Sequence, residues 1–362
     1  MFYREAGQFK TSYSEYLQAF PLREDRIGIA LWLIFALFYV PFFGLPGLEY
    51  TFAMNAIMIP VVIFTVTAIG LNILVGYTGQ ISLGTGAFMG VGAYACYKLT
   101  TYFPDVNIII IILASGFVSA AVGALFGLPS LRIKGFYLVV ATLAAQFFLE
   151  WCFIRVEWLY NYNPSGAIEV PQREVFGIVV TGASAEPATR YLVCLGILIL
   201  LTIVAGNLVR GRIGRSWMMI RDMDIAAELI GVRPLRAKLS AFAVSSYYCG
   251  VSGALMVFLW LGAAEVESFD VNHSFLYLFM VIFGGLGSIT GSYMGAAFIW
   301  TFPILLKELG KRLFDIDPII MENVSLVAIG ILIVFILIKE PHGLARLWQL
   351  GKQKLRIWPF AH

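Results

Sequence analysis

The chain has 362 residues, of which 60% are hydrophobic and only 13% charged, about half the charge of an average soluble domain. With a mean hydropathy of +0.84, that composition excludes a soluble globular protein, and long apolar runs without alternation exclude a transmembrane β-barrel. The net charge of +3 excludes little, because in a membrane protein the placement of Lys and Arg matters more than their sum.

Residues 1–26 have no early apolar core or small-residue cleavage site, so they are not a secretory signal and are expected to stay on the mature protein. Phe9, Tyr13, Tyr16, Leu17 and Phe20 recur at helical spacing, which predicts an amphipathic helix lying on the inner leaflet. Apolar runs then predict ten candidate spans, near 28–44, 51–75, 83–102, 107–128, 135–154, 190–209, 239–262, 274–287, 292–306 and 319–338. The eighth and ninth are short and separated by GGLGSITG, so they read either as two short spans or as a re-entrant pair. The fold class is all-α: a polytopic integral membrane protein of about ten transmembrane helices, some short or broken.

Lys and Arg orient it. With both termini cytoplasmic, the inner segments carry Arg4, Lys10, Arg23 and Arg26, then Arg132 and Lys134, then seven cations from Arg210 to Lys238 and five from Lys339 to Arg356. These are eighteen of the 25 basic residues and follow the positive-inside rule. The chain thus divides into an interfacial segment 1–26, a transmembrane domain 27–339 with an outer loop 155–190 and an inner loop 210–238, and a basic tail 340–362. The tail mixes Trp348, Trp358 and cations and is expected to meet membrane lipid.

The stretch GYTGQISLGTGAFMGVGAY, Gly76 to Tyr94, is dense in glycine inside this apolar chain. Gly86 and Gly90 have the spacing that lets another helix approach closely, and Gly92 is read with them. GAFMG at Gly86–Gly90 and GSYMG at Gly291–Gly295 share a pattern that suggests a parallel internal repeat. Gly76, Gly79 and Gly84, with Gln80, Ser82 and Thr85, fit either a tight cytoplasmic turn or a broken helix bordering a translocation path, since bare backbone at depth needs protein or water to satisfy it. Asn55, Asn72, Gln80 and Gln146 are neutral polar groups at depth. Glu150 is the main ionisable residue within a span and is placed near its outer end, in reach of Arg155.

In the inner loop RGRIGRSWMMIRDMDIAAELIGVRPLRAKLS, Asp222 or Asp224 is positioned to cap a short helix that Gly231 ends and Pro234 cannot continue. Ile225, Ala226, Leu229 and Ile230 form its apolar side. Its cations suit a lipid surface, whereas small alanines before a glycine break suit a protein groove; the residues alone leave both readings open.

No nucleotide-binding loop, nucleophile elbow or HExxH pattern is present, and the pairs Gly310–Lys311 and Gly351–Lys352 lack the flanking residues of a phosphate loop. Cys96, Cys152, Cys194 and Cys249 and the three histidines are scattered. No catalytic residue, metal, cofactor or nucleic-acid partner is therefore expected.

AFMGVGAY after GYTGQISLG, the loop GRIGRSWMMIRDMDIAAELIGV, and ESFDVNHSFLYLFMVIFGGLGSITGSYMGAAF together resemble the LivM-type permease subunits of branched-chain amino-acid ABC importers. The likeness runs from about Gly70 to Leu344. It implies an inner-membrane importer subunit working with a second, LivH-type permease, two cytoplasmic ATPases and a periplasmic binding protein. It also implies that the loop couples to the ATPase through Ala226, Ala227 and Gly231, with Arg215, Arg221, Asp222 and Asp224 beside them. The leading acid of that motif is replaced by Ile225, which leaves the register open. Thr85 and Gly86 stand where such chains commonly have His and Ala, and NYNPSG stands where a TGGPNG-like run is typical, so the solute can differ from leucine, isoleucine or valine. A permease for urea, short amides or aromatic acids is the alternative within transport. A channel or facilitator, and last a membrane-embedded enzyme, are the alternatives from other classes.

Overall fold

The computed structural model describes residues 12, 23–44, 48–130, 137–175, 177–182, 184–314, 318–340 and 342–357. The expected amphipathic segment 1–26, apart from Ser12 and Arg23–Arg26, and the cations Arg132 and Lys134 lie outside them, as does Trp358.

Thirteen helices carry the described chain. Helix α1 runs from Arg23–Ile34 through a π-helical turn, Phe35–Tyr39, into Val40–Phe43. Helix α2 covers Tyr50–Thr78, α3 Thr85–Tyr102, α4 Ile108–Ser130, α5 Tyr137–Arg155 and α6 Pro187–Arg210. Two short helices follow, α7 (Arg212–Asp222) and α8 (Asp224–Leu229), and then α9 over Pro234–Leu261. The last four are α10 (Val271–Gly284), α11 (Ile289–Phe314), α12 (Pro318–Lys339) and α13 (Gly343–Ile357). Pro187 and Pro234 each sit at a helix start, where the missing N–H costs nothing.

Seven helices are long and apolar enough to cross a membrane: α1, α2, α4, α5, α6, α9 and α11. The other three expected spans are helical too. Helix α3 carries many small and polar residues, α12 holds a shorter apolar stretch, Ile320–Ile336, and α10 has 14 residues. At about 1.5 Å per residue α10 reaches roughly 21 Å, short of a hydrocarbon core of about 30 Å. The chain is an all-α polytopic membrane protein. The ninth expected span is longer than its apolar run, since α11 continues to Phe314 past an internal Pro303.

Helix α2 is the axis, buried along nearly its whole length, and α9 packs against it, α3 and α4. Small residues allow these approaches: a Cβ at Gly92 would fall 2.1 Å from the Gly250 carbonyl oxygen, and one at Gly253 would fall 1.9 Å from that of Met89. A π-helical segment in α2, Ala53–Met58, displaces the usual ladder. Its Asn55 and Ala56 carbonyls accept from Trp260 Nε1 at 2.8 Å and Trp300 Nε1 at 2.9 Å.

One end of the bundle carries α7, α8 and α13 and is the basic end. At the other end the loop after α5 folds over α3. Strand β1 (Ile168–Glu169) pairs antiparallel with β4 (Ala263–Ala264), and β2 (Glu174–Val175) with β3 (Ile178–Val179). Lys98 Nζ lies 4.2 Å from the Trp158 ring centre and donates to Asn161 Oδ1, while Arg173 donates to the Thr100 carbonyl at 2.8 Å. Long polar side chains thus cover the C-terminal end of α3, where the Phe103 N–H donates to the Leu99 carbonyl and Arg173 answers that of Thr100.

Candidate functional site

The basic end is built around α7. Trp217 is fully buried and donates from Nε1 to Ser240 Oγ at 3.0 Å, so α7 is fixed to α9, with Arg215 half-buried on the same helix. Arg221, at the end of α7, pairs with Asp222 at 3.0 Å and donates from Nη1 to the Gly76 carbonyl at 3.0 Å. Neither expected acid caps α8: Met223 occupies the cap position and makes no side-chain bond. Asp224 instead accepts from Lys238 Nζ at 2.6 Å, because α9 returns directly beside α8. Gly231 ends the helix at φ +92, with Val232 N–H donating to the Ala227 carbonyl at 3.0 Å, a left-handed glycine closure.

Within α8, Ala227 is buried and Ala226 exposed. Ile225, Leu229 and Ile230 point away from the body of the protein, at 77%, 84% and 69% exposure. Apolar side chains this exposed on a short helix flanked by ionised residues mark a surface that gains from being covered.

The Arg221 contact leads into the bundle. Asn72, one turn before Gly76 on α2, donates from Nδ2 to the Ser288 carbonyl and to Ser292 Oγ, both at 2.8 Å, and accepts from Gly287 N–H at 2.8 Å. A buried amide holding the α10–α11 turn by three bonds fixes it firmly. A Cβ at Gly76 would lie 2.2 Å from Gly287 N, so only glycine lets the turn reach α2.

The run after α2 is neither a tight turn nor a continuation of the helix. Gly79 adopts φ +70, and the N–H groups of Gly79 and Gln80 donate to Val75 and Leu74, ending α2. Gln80, Ser82, Leu83, Gly84 and Thr85 are buried as the chain passes along α5, where Leu83 N–H donates to Thr142 Oγ1 at 3.0 Å. Helix α3 then begins beside the start of α10. Gly86 N–H donates to Ser274 Oγ at 2.8 Å, and Ala87 N–H to Gln146 Oε1 at 2.7 Å. Gln146 Nε2 in turn donates to the Phe269 carbonyl at 2.7 Å and to Glu150 at 2.6 Å. Helix-end amides that would otherwise be orphaned at depth are thus satisfied by side chains of two neighbouring helices. Glu150 is held by Gln146 rather than by Arg155, since a partner four residues away on one helix lies directly beneath it. Gln80 Oε1 is buried without a partner.

A Cβ at Gly86 would come 2.7 Å from the Phe269 carbonyl, and one at Gly90 2.6 Å from the Phe153 ring. One at Gly291 would come 2.7 Å from the Gly284 carbonyl, and one at Gly295 1.9 Å from that of Met280. The two similar motifs therefore pack on different parts of α10 and its flanks, Gly86 beside Phe269–Ser274 and Gly291 and Gly295 beside Met280–Gly285. Ser274 and Thr142 were not marked by the sequence; a lone hydroxyl in an apolar run carries no signal until its neighbour is known. Among the described residues no three His, Cys, Asp or Glu gather as a metal site would require.

The fold is a multi-pass helical membrane bundle with an apolar, charge-flanked segment at its basic end. The family model "Branched-chain amino acid transport system / permease component" matches residues 53–337, and the chain belongs to that family: it is a permease component, not an enzyme. It is similar to the high-affinity branched-chain amino acid transport system permease protein LivM of Salmonella typhimurium, at 30% identity, and of Escherichia coli, at 29%. Each alignment covers 78% of this chain and 67% of the relative. No solved structure matches.

Proposed function

We propose that the chain is a membrane-spanning subunit of an ATP-driven importer in the inner membrane, passing branched-chain or other hydrophobic amino acids delivered by a periplasmic binding protein. In this reading the basic end is cytoplasmic and a second, LivH-type permease completes the path. Two cytoplasmic ATPases drive the pair of permeases, and one of them seats on α8. The observation that carries it is the exposed apolar face of Ile225, Leu229 and Ile230 on a helix held by Lys238 and directly preceded by α7, which Trp217 and Arg221 tie to the bundle. ATPase closure pushes α8, and Arg221 hands the displacement to α2 at Gly76 and to the turn held by Asn72. Asn72, Gln80, Ser82 and Thr85, with the break between Gly79 and Gly84, border the path, whose access alternates as two states differ in affinity for ATP-bound partners. Gly86, Gly90, Gly291 and Gly295 serve helix packing.

The test is ATP-driven uptake in vesicles holding all subunits. Ile225→Asp with Leu229→Asp is expected to abolish stimulation by ATP while thermal stability and permease pairing stay unchanged, since both side chains are exposed. Unchanged uptake in that variant would support the channel reading instead. Thr85 and the loop NYNPSG differ from the pattern of branched-chain permeases, which favours screening short amides and aromatic acids as well; thermal shifts of the binding protein name the solute.

A further inference from the structure

Helix α13 begins four residues after α12 ends at Lys339, yet it does not leave the bundle. Gly343, at φ +73, lies so close to the α10–α11 turn that a Cβ there would meet the Gly285 N and Phe283 carbonyl at 2.7 Å. Conversely, a Cβ at Gly285 would meet the His342 carbonyl at 2.7 Å and Ala345 Cβ at 3.0 Å. Ala345 is buried in this contact. The first turn of α13 is therefore clamped to the turn that Asn72 holds from the other side and that Arg221 approaches: a Cβ at Gly287 would lie 3.2 Å from Arg221 Nη1.

Beyond that clamp the helix is exposed. Leu347, Trp348 and Leu350 stand open, and the Lys352 ammonium lies 5.9 Å from the Trp348 ring centre. The segment GLARLWQLGKQKLRI has Arg346, Lys352, Lys354 and Arg356 and no acid. Open leucines and a tryptophan among cations, on a helix held at the end of a transmembrane span, complement an anionic lipid surface. An acidic protein groove would match the charge, yet it would leave unexplained a helix pinned within four residues of a span.

We propose that α13 binds the anionic phospholipid surface of the inner leaflet and, so anchored, braces the Gly285–Ser288 turn against Arg221 and the coupling segment. Lipid charge then sets how stiffly α8 is connected to α2. The proposal rests on the orientation given under the proposed function, but its readout needs no transport, and its supporting outcome needs no ATPase.

The experiment is hydrogen exchange of the full chain in nanodiscs of zwitterionic lipid and of the same lipid with anionic phospholipid added. Amides of α13 are expected to exchange at least tenfold more slowly with anionic lipid, and peptides covering 283–289 and 74–80 to slow with them. Lys352→Gln with Lys354→Gln is expected to remove that gain, at about fivefold per cation, while Lys352→Arg with Lys354→Arg keeps it. Lys354 is exposed and Lys352 is half-buried against Trp348, and neither lies in the core, so the variants fold. Equal exchange in the two lipids overturns the proposal. Protection of α13 only after the ATPase is added also overturns it and marks a protein-docking surface. Slowing confined to α13, with 283–289 unchanged, overturns the brace. Loss of ATP-driven uptake in the Ile225 and Leu229 variant leaves all of these outcomes unaffected.

Discussion

The coupling segment and the buried start of α3 solve opposite problems with similar means. Both are helix ends beside a break in a long apolar bundle. At α3 the Gly86 and Ala87 amides are answered by side chains from two other helices, Ser274 and Gln146, as backbone groups buried inside a membrane protein require. At α8 the polar groups are loosely held in half-exposed ion pairs and the apolar residues are left open. The difference agrees with the proposed roles: one end is finished within the chain, and the other leaves an apolar face open. Substitutions at the first should register as stability, and at the second as transport.

The sharpest test of the finished side is its close packing. Gly253→Val places two methyl groups on a Cβ already 1.9 Å from the Met89 carbonyl, and backbone cannot yield as a flexible side chain would. The expected loss is at or above the upper end of the roughly 1–3 kcal/mol typical of overpacking, seen as a collapse of the thermal midpoint in detergent. Retention of wild-type stability would mean that α3 and α9 are further apart than described here.

Next comes Gln146→Leu, which is similar in bulk but strips partners from Ala87 N–H and the Phe269 carbonyl. Each buried group left bare costs about 1–3 kcal/mol. The variant is expected to unfold several degrees lower and to show faster hydrogen exchange at Gly86–Phe88, with α8 unaffected. Arg221→Ala is smaller in stability and larger in function. It loses the exposed pair with Asp222, worth about 1 kcal/mol or less, and the charged bond to the Gly76 carbonyl, worth about 1.5–3 kcal/mol at most and less here because the side chain is 39% exposed. Uptake should fall about tenfold or more while ATPase binding persists, which separates transmission from docking.

Much of this division was legible in the residues. Apolar runs marked the helices because the bilayer forces backbone bonds to close locally, and Gly231 with Pro234 marked the end of α8 because few residues tolerate its conformation. The register of contacts was not legible. That Asn72 would grip the GGLGS turn over two hundred residues away, or that Ser274 would receive Gly86, depends on which helices become neighbours. The role expected of Asp222 and Asp224 failed for the same reason. A cap is a local bond, but Lys238 on the returning α9 offered Asp224 an ionised partner, and Arg221 did the same for Asp222.

That exchange of partners leads to the smallest prediction. The resemblance would place an acid at Ile225, and Asp224 stands one position earlier, so it is the acid to test for a contact with the proposed ATPase. Its Oδ2 is already taken by Lys238 at 2.6 Å, with side-chain exposures of 40% and 22%, and its Oδ1 is buried without a partner. An acid engaged in this way holds α8 against α9, and the expectation is that it acts there rather than in contact with a partner. A pair this exposed contributes about 1 kcal/mol or less, and less again at high salt. Asp224→Asn should therefore shift the thermal midpoint slightly, with the difference shrinking in high salt, and leave ATP-driven uptake within about twofold of the parent. Lys238→Met should behave alike, because both remove the same bond. If Asp224→Asn instead abolishes uptake while Lys238→Met does not, Asp224 reaches the ATPase directly, and the docking face extends from the apolar side of α8 onto its first turn.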